Sequence, residues 1–205
     1  MRTLVIDTAT EACSVALFES GALLAGEYRH LARGHAEALV PMIAALPDRG
    51  KAARIVVALG PGSFTGLRVG LAAARALALA WQAELLGYPT LTLVAAMARG
   101  GAATPVGVAM SGGHGEWFVQ EFAADGAALA ELASLAPAAA ITTIAADLVA
   151  GSQAGALVAA RGHGEALEVW PDARSFALLP PAALTAATAL HYGRAPDARL
   201  PVAPA

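Results

Sequence analysis

Apolar residues along this chain fall first into short alternating or continuous runs and then into helical spacing. The exchange of one period for the other predicts an α/β protein. Leu4 to Asp7 and Ser14 to Phe18 flank Thr8-Ala9-Thr10-Glu11 and read as a β-hairpin, with a third strand expected at Leu23 to Arg29. From His35 to Leu46 the residues Leu39, Met42, Ile43 and Leu46 recur at helical spacing, and Pro41 must either start that helix or kink it. Arg54 to Leu59 is a β-branched run of the kind found in buried central strands. It ends at Gly60-Pro61-Gly62-Ser63-Phe64-Thr65-Gly66, whose glycines can adopt the dihedrals of a tight turn. Leu67 to Trp81 follows as a helix that is apolar or small on almost every face, broken by Arg68 and Arg75 on one stripe. A helix of that kind needs two covers, one of which is the sheet. Gly87-Tyr88-Pro89-Thr90 interrupts the pattern, and Leu91 to Arg99 predicts another short helix before Gly100-Gly101.

A second module is expected after that boundary. Pro105 to Met110 and Trp117 to Phe122 form a hairpin-like pair around Ser111 to Gly115, and alanine-rich helices are expected at Thr143 to Ala150 and Pro181 to Tyr192. A short strand is expected at Ala156 to Ala160, and Pro196, Pro201 and Pro204 predict an extended tail over Ala195 to Ala205. Both halves open with a hairpin, a hint of duplication.

Composition narrows the classes of function. A hydrophobic content of 57% over 205 residues is ample for a packed core and argues against disorder. Charged residues make up 14% and the net charge is -3, so the chain lacks the basic footprint of a nucleic-acid binder. Cys13 is the single cysteine and lies in an apolar run, which excludes an intrachain disulfide and predicts a buried thiol in a reducing compartment. Met1 to Phe18 lacks signal-peptide order, and Leu67 to Trp81 is too short and too charged for a bilayer span, so a cytoplasmic protein without membrane association is expected.

The candidate chemistry is sparse. Glycines ahead of a helix can present N–H groups to an anion, yet the Gly60 to Gly70 segment lacks the lysine of a Walker loop and has Thr65 where the dinucleotide fingerprint needs glycine. Ser63 occupies a nucleophile-like position, but Pro61 replaces the first glycine of that elbow. A structural turn is the favoured reading, with a nucleotide contact and a nucleophile as alternatives. Asp7 at a strand end, followed by Thr8 and Thr10, matches the first phosphate loop of actin-like ATPases and sugar kinases in outline. Ala9 and Thr10 stand where that loop uses glycine, and Glu11 adds a charge that repels phosphate, so a capped turn is preferred to a working loop. His30 and His35 lie roughly 140° apart on a helix of 3.6 residues per turn, and no metal site is expected from them or from His114, His163 and His191.

Three motifs taken together, Leu4 to Leu17, His35-Ala36-Glu37 leading to Leu39 and Pro41-Met42-Ile43, and Gly60 to Gly70, closely resemble the TsaB family, the bacterial dimerisation subunits of the tRNA threonylcarbamoyladenosine machinery. The resemblance covers the first hundred residues in order and the second half more loosely. It implies an α/β, actin-like (ribonuclease H-like) fold of two lobes, with mixed sheets flanked by helices. A first lobe is implied over 1–100 and a smaller second lobe over 101–205, with a closing helix and a tail that packs back. It also implies a non-catalytic subunit, without a cofactor of its own, that assembles with the catalytic paralogue TsaD and the ATPase TsaE. ATP or ADP would enter only at the junction with the paralogue, tRNA would be reached indirectly through the complex, and the isolated chain would form a homodimer. Its docking helices would be His35 to Leu46 and Leu67 to Trp81, with Leu39, Met42, Ile43, Leu67, Leu71 and Ala74 as contacts and Arg68 and Arg75 as polar anchors. The helix needing two covers and the implied docking helix are the same segment.

This chain departs from the family in reading Ser111-Gly112-Gly113-His114 where many members carry an aspartate and an arginine. It also stops at Pro201-Val202-Ala203-Pro204-Ala205, where members usually continue, so a truncated form is an expectation. The competing class is an actin-like enzyme using ATP, either a small-molecule kinase or a glycoprotease-type hydrolase.

Overall fold

The structure, a computed structural model, describes residues 1–193. The tail expected over 195–205 lies outside the described residues. The first lobe comprises β1 (Arg2–Asp7), β2 (Ala12–Glu19), β3 (Ala22–His30), α1 (His35–Ala45), β4 (Arg54–Ala58), α2 (Phe64–Trp81), β5 (Glu84–Tyr88) and α3 (Thr90–Arg99). The second comprises β6 (Val106–Ser111), β7 (Trp117–Phe122), β8 (Ala133–Leu135), α4 (Pro137–Thr143), β9 (Leu148–Ala150), α5 (Ala154–Arg161) and β10 (Glu165–Leu167).

Each lobe is built on one mixed five-stranded sheet. The first runs β3-β2-β1-β4-β5 and the second, read in the same sense, β8-β7-β6-β9-β10. In both, three strands form an antiparallel meander and two more join in parallel. The hint of duplication is thus a repeated topology.

Period two along the strands sorts the core into layers. Leu4, Ile6, Ile55 and Val57 face α1 and α2, whereas Val5, Val56 and Ala58 face the other way, toward Leu93 of α3 and toward Ala173 and Leu179. Leu91, Val94 and Ala95 of α3 pack on Val106, Val108 and Phe122 of the second sheet, so α3 is shared by both lobes. Ala140, Ile144 and Leu157, in and around α4 and α5, cover the outer face of that sheet.

Several local expectations are corrected. Residues 143–150 are not a helix: α4 ends at Thr143, Ile144 turns extended and β9 pairs in parallel with β6. The strand expected at Ala156 to Ala160 is instead α5, stopped by Gly162 in the left-handed region, because an alanine-rich apolar run of that length carries no decisive period. Pro181 to Tyr192 forms one 3-10 turn, Pro181–Ala183, and then runs extended, because its backbone bonds to Gly87 and Leu59 rather than to itself. The break at Gly87-Tyr88 is the end of β5, a strand hidden in the sequence behind the apolar run of α2. α2 begins at Phe64 rather than Leu67 and so reaches 18 residues, long and apolar enough by length and composition to cross a bilayer, with its inner side on the sheet.

Candidate functional site: a closed loop and an open helix face

Parallel pairing of β1 with β4 and of β4 with β5 brings Asp7, Leu59 and Tyr88 to one end of the first sheet. The Asp7 side chain is fully buried there. Its Oδ1 accepts the Ala9 N–H at 3.0 Å and its Oδ2 accepts the Tyr88 O–H at 2.6 Å. Burial pushes the Asp7 carboxyl up to about 6, opposed by these two hydrogen bonds and aided by the Asp172 carboxylate. Burial also holds the Tyr88 phenol well above its ordinary value, with the Asp7 charge adding to it. Both carboxylate oxygens are thus engaged inside the protein. Tyr88 was not legible as a partner of Asp7, since only the sheet order places the two strand ends side by side.

The Gly60 to Gly70 segment closes over this loop. Ser63 N–H donates to Ala9 O at 2.6 Å, and Thr8 Oγ1 donates to Gly66 O at 2.8 Å. A methyl group at Gly62 would overlap the Ala9 carbonyl, one at Gly66 the Thr8 carbonyl and one at Gly70 the Thr8 hydroxyl. Glycine is required here so that two backbone segments can touch. Ser63 Oγ caps α2 by accepting the Gly66 N–H at 3.2 Å, and Thr10 Oγ1 accepts the Ala12 N–H at 3.2 Å.

A cleft of about 1150 Å³ lies between the lobes, lined among others by Glu11, His35, Phe64, Arg68, His114 and Tyr192. A ring nitrogen of His35 bonds Thr10 O at 2.9 Å, His30 stands edge-on to Trp170, and His163 lies beside Asp147 on the surface. Among the described residues no three His, Cys, Asp or Glu side chains cluster as metal ligands would. Cys13 is buried, 3.7 Å from the Met42 sulfur, and burial pushes its thiol up to about 11.

The residues named as docking contacts lie elsewhere than a contact surface requires. Leu39, Met42, Ile43, Leu67, Leu71 and Ala74 are all buried in the chain's own core. Helical periodicity marks the inward face of an amphipathic helix, so the strongest apolar positions were drawn inward. Arg68 and Arg75 are exposed but engaged in cis: Arg68 lies 3.6 Å over the Phe64 ring and donates to the Tyr192 hydroxyl at 3.1 Å, while Arg75 donates to Thr188. Beside these arginines, the outer face of the two helices includes the apolar residues Val40 and Ala44 on α1 and Ala72, Ala76 and Leu79 on α2. Leu79 is 84% exposed and Val40 63%.

Two lobes of one repeated topology around a cleft define an actin-like protein, here with its strand-end aspartate sealed. The fold is shared with the ethanolamine utilization protein EutJ from Carboxydothermus hydrogenoformans, at a TM-score of 0.50 and 11% identity, over 88% of this chain and 90% of that one. Residues 29–168, more than half of the chain, match the family model described as TsaD: tRNA N6-adenosine threonylcarbamoyltransferase. The tRNA threonylcarbamoyladenosine biosynthesis protein TsaB of Escherichia coli (strain K12) is 40% identical over 131 residues, 61% of this chain and 56% of that protein. Its namesake in Bacillus subtilis (strain 168) is 31% identical over 104 residues, 48% and 45% of the two chains. The matched region spans about half the length of these curated relatives. YeaZ from Pseudomonas aeruginosa superposes with a TM-score of 0.73 at 30% identity, over 86% of this chain and 89% of that one. The chain belongs to the TsaB family, within the wider TsaD-like group.

Proposed function

We propose that this chain is a soluble, cytoplasmic, non-catalytic docking subunit of the machinery that makes N6-threonylcarbamoyladenosine in tRNA. It pairs with a TsaD-type catalytic paralogue, and through it with the ATPase TsaE, by the outer face of α1 and α2. Without the paralogue the same face pairs with a second copy. Cofactor and tRNA are handled by the assembly, and among the described residues this chain offers neither a metal ligand set nor a free phosphate loop.

One observation carries the reading: an 18-residue apolar helix presents Ala72, Ala76 and Leu79 to solvent, and α1 exposes Val40. Small and aliphatic residues in a row permit close helix approach and are unfavourable to leave in water. The names of the relatives support the pathway. The sealed Asp7 carboxylate supports the absence of catalysis, because a phosphate-handling aspartate must turn an oxygen toward its ligand.

Light scattering on the chain mixed with the paralogue tests it. A heterodimer is expected for the wild type and at least a hundredfold weaker association for Leu79→Glu, whose side chain sits outside the core. No heterodimer for the wild type, or an unaffected Leu79→Glu variant, overturns the reading. So does ATP hydrolysis by the pure chain that Asp7→Ala abolishes.

A further inference from the structure

After the 3-10 turn Ala173–Leu178, the chain runs back across the first lobe as an extended strap, residues 184–193. Thr185 exchanges backbone hydrogen bonds of 2.8 and 3.0 Å with Gly87 on the free edge of β5. Thr188 accepts from Arg75 through its carbonyl at 3.1 Å and its hydroxyl at 3.3 Å. Leu190 packs against the cores on both faces of the first sheet. His191 N–H donates to Leu59 O at 2.8 Å, and its carbonyl fills the place a methyl on Gly60 would take. Tyr192 is held by Arg68 and packs on Phe64 with ring centroids 5.0 Å apart.

The strap then crosses the cleft. Gly193, at φ +73°, fits between Pro61 of the first lobe and the Phe118 ring on β7 of the second, where any Cβ would collide with that ring. Tyr192 and Phe118 both line the cleft. Two arginines on the outer side of α2 therefore grip one stretch of the strap, and the end of that stretch is wedged against the opposite wall of the cleft.

We propose that residues 184–193 form a mechanical link between the outer face of α2 and the second-lobe wall of the cleft, so that whatever settles on α2 alters the freedom of the hairpin containing Phe118. The inference rests on the proposed function only for the statement that a partner lands on α2; the link itself is intramolecular. Coupling of this kind is reciprocal, so loosening either end must be felt at the other.

Amide hydrogen exchange on the isolated chain tests this without a partner. In the Arg68→Ala/Arg75→Ala double variant, residues 185–192 and, across the cleft, residues 112–118 should exchange about fivefold faster or more, while Leu4 to Ile6 and Ile55 to Val57 keep their wild-type protection. Gly193→Ala should accelerate the same two segments from the other end. An effect of either variant confined to its own end, or no effect, overturns the link. Because heterodimer formation is measured separately, a chain that shows the link without docking sinks only the proposed function, and one that docks without the link sinks only this inference.

Discussion

The two lobes share a strand order but seal equivalent loops to different degrees. In the first, the β1–β2 loop meets the turn before α2 backbone on backbone, through Ser63 N to Ala9 O and three glycines that leave no room for a side chain. In the second, the end of β6 meets the turn before α5 by one backbone bond, Gln153 N–H to Ala109 O at 3.0 Å beside Gly151, and adds solvent-facing side-chain links: Ser111 N–H donates to Ser152 Oγ at 2.9 Å and Gln153 Nε2 to Ser111 Oγ at 2.7 Å. The first junction buries an aspartate; the second faces solvent. One topology therefore holds a rigid, sealed junction beside the helices offered for docking and an adjustable one across the cleft. The difference arises from side-chain volume at a handful of positions rather than from the fold.

The contrast is broken most severely at Gly62. Gly62→Ala forces a methyl group into the Ala9 carbonyl, and stability should fall by about 3 kcal/mol or more, read as a lower urea midpoint. A loss below about 1 kcal/mol would mean that the two loops can separate freely.

Asp7 gives the next effect. Its folded pKa of about 6 lies above its unfolded value near 3.8, so the native state binds the proton more tightly. The resulting stabilisation is fully present below about pH 4 and is lost as the pH rises through about 6. At pH 7.5 the ionised wild type should be about 2 kcal/mol less stable, from this group alone, than at pH 4. Asp7→Asn, which keeps the shape and removes the charge, should flatten that slope and raise the urea midpoint at pH 7.5. Equal slopes for the two proteins across pH 4 to 7.5 would refute the buried-carboxylate account.

The smallest effect belongs to the second lobe. Ser152→Ala removes a solvent-facing link and should change stability by less than about 1 kcal/mol. A loss as large as that of Gly62→Ala would erase the distinction between the junctions.

Much of the first lobe was legible because its runs are long: eight residues of β2 with seven buried, and the continuous apolar β4, admit one reading. The second lobe's β8, β9 and β10 are three residues each, shorter than any periodicity can register, and its alanine-rich stretches suit helix or strand equally. At the candidate site, Asp7, Thr8 and the glycine turn were found by their spacing, whereas Tyr88 and Thr188 were not, because they reach the site by strand order and by a strap with no period of its own. The docking residues show a different limit. Leu71, named as a contact, is buried while Leu79 faces out, and a helix apolar on nearly every side gives no internal clue to which of two leucines meets the sheet.

The strap and the segment that leads into it from Ala173 also fix the order in which the first lobe can be finished. Ala173, Leu179 and Leu190 complete hydrophobic layers whose other buried members come from the first hundred residues. The lobe that leaves the ribosome first must therefore wait, partly uncovered, until residues 173–190 have been made, and the sequence is not read out lobe by lobe. Limited proteolysis of a chain ending at residue 170 checks this: resistance of β1 to β4 equal to that of the full chain would contradict it, whereas early cleavage there would show that the first lobe is sealed by residues 173–190.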